Sequence, residues 1–77
     1  MVHTTEGELI ASYLTSHIEG QRWSEREAAT RLGLTRSTLR RRLSHGDFRV
    51  NELAVIATRL DTTSAELVAK ARAGVAA

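Results

Sequence analysis

The sequence predicts an all-α fold: a compact five-helix bundle in which the second and third helices form a helix-turn-helix. Three observations predict it. Nothing in the chain breaks helices or builds a sheet, since there is no Pro, Gly occurs five times in 77 residues, and β-branched residues never alternate over a useful length. Apolar residues recur at helical spacing in successive segments. Three Ser/Thr-x-x-Glu signatures, Thr5 with Glu8, Ser24 with Glu27 and Thr63 with Glu66, mark helix starts of the capping-box kind. At this length one domain is expected, residues 1–77 with an ordered core of about 5–73, and its hydrophobic core must be small.

The first helix is expected from Glu6 to Ile18. Leu9, Ile10, Tyr13, Leu14, His17 and Ile18 share one face, and Gly20 is the expected C-terminal cap. Tyr13 reads as the edge of the core, with a hydroxyl able to reach a phosphate as the alternative. Gln21, Arg22 and Trp23 connect to the second helix. Trp23 stands where a staple residue would, opposite Ala28, and reads as core packed on the first helix; base stacking is the weaker reading.

The second helix is expected over Glu25 to Leu32, burying Ala28, Ala29 and Leu32. The small side chains of Ala28 and Ala29 let the next helix cross closely. Gly33 can take φ > 0 and end this helix in a left-handed cap. Thr35 can cap the third helix through its hydroxyl, and Leu34 can pack on Leu39. The third helix then spans Arg36 to about His45, ended by Gly46. Leu39 and Leu43, four apart, are its expected buried residues. A wide polar face remains, holding Arg36, Ser37, Arg40, Arg41 and Ser44.

Phe48 and Leu53 form a staple across the start of the fourth helix, and Glu52 sits where a reciprocal capping carboxylate would. The cap position itself falls on Arg49, which cannot accept the orphan N–H bonds; this costs about 1 kcal/mol against a good cap. Two readings stand: an imperfect cap filled by water, or a helix start reserved for a DNA phosphate with Arg49 and Asn51 beside it. Leu53, Ile56, Ala57 and Leu60 face inward. Asp61 and Thr62 turn the chain into a fifth helix from Ser64 to about Ala73, with Leu67, Val68 and Ala71 inward and residues 74–77 a frayed tail.

Net charge is +2, but it is unevenly placed. From Arg22 to Arg42 there are seven Arg against two Glu, a net +5, which leaves −3 on the rest. That is the electrostatic footprint of a nucleic-acid face. Ten of the eleven cations are Arg, the residue that forks onto phosphate or onto guanine O6 and N7. A GC-rich genome accounts for Arg and Ala usage but not for the clustering.

The absence of Cys excludes disulfides and thiolate metal sites. No apolar run is long enough to span a membrane, and the start lacks a signal-peptide pattern, so a cytoplasmic protein is expected. His3, His17 and His45 have no ligand spacing, and no phosphate loop, nucleophile elbow or zinc-protease pattern is present. No enzyme, metal, cofactor or small-molecule substrate is expected.

Ala29, Gly33, Leu34 and the run Thr35-Arg36-Ser37-Thr38-Leu39 resemble the helix-turn-helix of the lambda-repressor-like DNA-binding domains, the phage repressors, Cro proteins and their bacterial relatives. Downstream, Phe48, Val50, Glu52, Leu53, Ile56, Ala57 and Leu60 are similar to that family's fourth helix, so the resemblance covers roughly Glu8 to Ala71. The family often has an apolar residue three after the position of Leu39; here that residue is Arg42, and which of Arg40, Arg41 and Arg42 point at DNA stays open.

The resemblance implies a third helix in the major groove. It implies phosphate contacts from Ser24 and the neighbouring amides, Thr35, Ser44, Arg49 and Asn51, and base contacts from Arg36 and Ser37; Arg40 and Arg41 on the same exposed face either extend the base contacts or hold phosphate instead, and the sequence leaves both readings open for each. Arg suits guanine, at about 1–3 kcal/mol of discrimination per bidentate pair, so G-containing half-sites are expected.

The function so implied is a sequence-specific regulator of transcription, Cro-like or repressor-like, that occupies a near-palindromic double-stranded operator. A homodimer, in solution or on DNA alone, is left open, with Leu67, Val68 and Val75 as its expected surface. An antitoxin or excision accessory protein on the same fold is the second reading, and a protein-interaction module is the third.

Overall fold

The computed structural model describes residues 5–76. Five helices follow in order: α1 (Glu6–Gln21), α2 (Glu25–Leu32), α3 (Arg36–His45), α4 (Val50–Arg59) and α5 (Ser64–Ala76). Helix α1 packs on α5 and α3, α2 packs on α3 and α4, and α4 packs on α5. The core between them is built from Ile10, Leu14, Ala28, Ala29, Leu32, Leu39, Ile56, Ala57, Leu67 and Ala71. Leu9, Tyr13, Ile18, Trp23, Leu34, Phe48, Leu53, Leu60 and Val68 pack half-buried around it. No described helix is long and apolar enough to cross a membrane.

The helix starts are made by the expected hydroxyls. Thr5 Oγ1 accepts the Glu8 N–H (3.1 Å), Ser24 Oγ the Glu27 N–H (3.1 Å) and Thr63 Oγ1 the Glu66 N–H (3.2 Å). The reciprocal half of each box is replaced by other contacts in two of the three. The Glu27 carboxylate pairs with Arg31, and Glu66 accepts from Thr62 Oγ1 (2.7 Å).

Three expectations are corrected. Helix α1 does not stop at Gly20; it runs one residue further, and Arg22 takes the left-handed cap at φ 58°, with the Trp23 N–H closing on the Ile18 carbonyl. Gly20 therefore lies within the last turn of the helix, one residue before its end. Helix α5 continues through Ala76, so the expected tail extends the helix, while Ala77 lies outside the described residues, as does His3. Leu67 is 1% exposed, which closes it to a second chain. Its place in the core explains this: it is in the contact between α5 and the rest of the bundle, and Val75 lies outside the described side chains.

One close approach was not foreseen. The start of α1 crosses the end of α3 backbone to backbone, at Gly7 and Gly46. A Cβ on Gly7 would overlap the Gly46 carbonyl oxygen, and a Cβ on Gly46 would lie 2.8 Å from the Glu8 backbone nitrogen. Gly46 also carries φ 70°, the left-handed value that ends α3. Ala11, small and buried, lies one helical turn further along α1 and lines the groove between α1 and α3 with Leu43 and Ser44.

Candidate nucleic-acid interface

The sequence Ser24 to His45 builds a helix, a corner and a second helix. Gly33 supplies the corner at φ 77°. Its N–H reaches the Thr30 carbonyl (3.3 Å), and the next N–H, of Leu34, reaches Ala29 (3.0 Å). A side chain here would also meet Val55 Cγ1 at 2.8 Å, so glycine is required both by the dihedral and by the approach of α4. Thr35 then caps α3: its hydroxyl accepts the Thr38 N–H (3.2 Å) and donates to Thr38 Oγ1 (2.9 Å). With Leu39 buried beneath it, α3 is fixed along one side and presents the other to solvent.

That outer side carries three guanidiniums. The side chains of Arg36, Arg40 and Arg41 are 53%, 67% and 71% exposed, which makes them accessible to a duplex. Ser37 stands exposed among them. Each of the three arginines also lies beside a carboxylate. Glu25 Oε1, from the first turn of α2, accepts from Arg40 Nη2 at 2.7 Å and lies 3.9 Å from Arg36 Nε. Asp47, just after α3, is 4.0 Å from Arg41 Nε. Glu25, Thr35, Arg36, Ser37 and Arg40 line a shallow groove between the two helices.

Arg42 behaves differently from its neighbours. It is 8% exposed and takes the inward position three residues after Leu39. Its Nε and Nη2 donate to the two oxygens of Glu52 (2.8 and 3.1 Å), and Nη1 donates to Asp47 (3.3 Å). Glu52 Oε1 also accepts the Arg49 backbone N–H (2.8 Å). The Arg42 hydrogen bonds, and after them the Arg49 N–H, hold the Glu52 carboxyl below its ordinary value of 4.5 against the opposing effect of desolvation. The same bonds raise the Arg42 guanidinium further above its ordinary range.

This settles the departure noted in the sequence. The end of α3 keeps its register, Arg42 fills the inward position with its charge neutralised, and Leu43 is half-buried instead of core. Of the three consecutive arginines, Arg40 and Arg41 face out and Arg42 does not.

The other candidate contact residues are also exposed. Ser24 is exposed at the cap of α2. Ser44 is exposed in the last turn of α3, on the groove facing α1. Arg49 and Asn51 are exposed at the start of α4, where Arg49 makes no side-chain cap bond. Trp23 packs on the core as expected; its ring meets His17 edge-on at 5.3 Å and lies 5.0 Å beneath the Arg31 guanidinium. His17 is in turn stacked with Tyr13 at 6.3 Å, a packed histidine. No group of three metal-ligating side chains forms among the described residues.

Sequence reasoning missed the carboxylates. Glu25 reads as an ordinary first-turn acid, and nothing local ties it to residues eleven and fifteen positions on. The Arg42 pairing had one signal: a charged residue at an inward position requires a buried counter-charge.

The chain matches a known protein family. The family described as bacterial regulatory protein, Fis family, matches residues 4–45, more than half of the chain, from just before α1 to the end of α3. The match covers the whole helix-turn-helix and supports a DNA-binding domain of that kind. It stops before α4, whose residues extended the resemblance to the lambda-repressor-like domains, and it supports the helix-turn-helix without that narrower type. No curated protein and no solved structure matches the chain.

Proposed function

The chain belongs to the Fis family of bacterial regulatory proteins, a helix-turn-helix family of DNA-binding transcription regulators, and from the resemblance carried by its own residues between Ala29 and Leu60 we propose that it is a sequence-specific regulator of the Cro or small-repressor kind, acting by occupying an operator. The observation that carries this reading is the sorting of the α3 arginines. Arg36, Arg40 and Arg41 are exposed on one face, each beside a solvent-exposed carboxylate, while Arg42 is withdrawn and neutralised. A helix held only for stability has little use for such a face.

In the proposed complex α3 enters the major groove. Arg36, Ser37, Arg40 and Arg41 meet base edges, and the arginines favour guanine. Ser24, whose hydroxyl accepts from Glu27 and keeps its own proton, takes a phosphate oxygen with the amides of the α2 start. Ser44, Arg49 and Asn51 hold the backbone on the far side. Thr35 is the one phosphate candidate whose hydroxyl is already committed, to the cap and to Thr38, which moves the clamp onto the other four.

Selection of binding sites from a random duplex pool tests the reading. The expected result is a near-palindromic, guanine-containing consensus, bound much more tightly than random duplex. A protein that ignores every duplex at low ionic strength would instead be a protein-interaction module, and the proposal would be lost.

A further inference from the structure

Glu25 is a carboxylate on a surface proposed to face phosphates, where an uncompensated negative charge would repel the ligand. Its helix does not need it as a cap, because Ser24 already accepts the Glu27 N–H. An acid in a first turn suits the helix dipole, but Glu27 is placed equally well for that and turns instead to Arg31 on its own helix (3.2 Å). Glu25 turns across the corner to α3. Its side-chain partners are Arg40, at 2.7 Å, and Arg36, at 3.9 Å, all three groups being 42% to 67% exposed. Two cations proposed to read bases thus share one anion in open solvent.

We propose that Glu25 is a specificity-determining residue, which makes Arg36 and Arg40 poor ligands for phosphate and good ones for guanine. This role rests on α3 being the base-reading helix. A guanidinium has five N–H donors in a planar fork. With one edge of Arg40 on Glu25, another remains for the O6 and N7 of a guanine, which is neutral and does not compete for the carboxylate. A phosphate brings a second anion to the same fork, close to Glu25, and is repelled. Glu25 therefore holds the Arg40 plane in a fixed orientation and lowers the attraction of this face for DNA of any sequence. Arg41 stands outside this arrangement, beside Asp47.

The test compares Glu25→Gln with Glu27→Gln. Both remove one negative charge from the same helix turn, and both sites are exposed, so melting temperatures should stay close to that of the starting protein. Dissociation constants are measured over a salt series on the pool-selected site and on random duplex of equal length. With Glu25→Gln, binding to random duplex should tighten about three- to tenfold at low salt, with a salt slope steeper by about 0.9 for one further phosphate contact. The selected site should gain less, so the ratio of the two affinities falls.

Glu27→Gln should move both duplexes together and leave the ratio unchanged. Equal behaviour of the two variants, or an unchanged ratio in Glu25→Gln, would overturn the role of Glu25 while leaving DNA recognition standing. Failure of the unsubstituted protein to prefer any duplex would instead overturn the reading beneath it.

Discussion

At the scale of single residues, the same substitution has opposite signs at two glycines. Gly7→Ala drives a Cβ into the Gly46 carbonyl, a backbone atom that cannot swing aside. Overpacking of this kind costs about 1–3 kcal/mol, or about 4–8 °C of melting temperature per kcal/mol in a domain of this size. Gly20→Ala meets nothing within 4 Å in the last turn of α1. It should stabilise the fold by about 0.5–1 kcal/mol, because Ala has less backbone freedom to lose. Two thermal melts check both expectations.

On the proposed binding face, Arg36→Ala should relax sequence preference and leave random-duplex affinity less affected. Arg49→Ser should weaken all sequences alike and flatten the salt slope, because its proposed partner is a phosphate. The same serine gives α4 the cap oxygen that Arg49 does not provide, worth about 1 kcal/mol to the free protein. Unchanged DNA binding by the Ser variant would remove the phosphate from the start of α4 and leave an ordinary imperfect cap.

At the scale of elements, α3 is held to α4 by charge where the sequence pattern called for an apolar contact. Glu52 joins them, binding Arg42 from α3 and the Arg49 N–H that begins its own helix. Its carboxyl is held below 4.5 in the folded chain, mainly by Arg42. The unfolded chain therefore binds this proton at higher pH than the folded one, and stability falls as pH drops from about 4.5 through the lower folded value. Above that window the contribution is complete. Glu52→Gln should lower the melting temperature at neutral pH and make it fall less steeply with acid; an unaltered acid dependence would show that other carboxylates govern it.

What could be read from the sequence divides along the same line. Helix starts at Thr5, Ser24, Thr35 and Thr63 and corners at Gly33 and Gly46 were legible, because a cap or a positive φ is fixed by residues three or four apart. The outward set Arg36, Ser37, Arg40 and Arg41 followed from helical spacing. The Gly7–Gly46 crossing, the Glu25 link to α3 and the burial of Arg42 were not legible. Each joins residues ten or more positions apart, and an inward arginine is allowed only by an acid that another helix brings to it. Gly20 misled for a related reason: a C-terminal glycine is a common cap, but Arg22 adopted the left-handed turn and Gly20 was left helical.

At the scale of the whole molecule, the question is how many copies meet. A stable dimer in solution needs an apolar patch contributing to about 1,000 Å² or more of buried surface. Among the described residues the exposed large apolar side chains are Val50 and Val55 on α4, at 86% and 42%. Leu67 and Ala71 of α5 are committed to the core. The free protein is therefore expected to be monomeric at micromolar concentration. On DNA the geometry changes. Two half-sites one helical turn apart place domain centres about 34–36 Å apart along the duplex, and the domain measures 34 × 24 × 24 Å. Copies lying lengthwise along the duplex touch at that spacing, whereas copies lying across it leave a gap of about 10 Å. Sedimentation of the protein alone and with a selected palindrome should show one copy free and two copies bound. Inserting half a turn between the half-sites should abolish any cooperativity between them, since it rotates the second copy to the opposite face. A stable dimer without DNA would mean that α4 or α5 supplies an interface larger than its exposed side chains indicate.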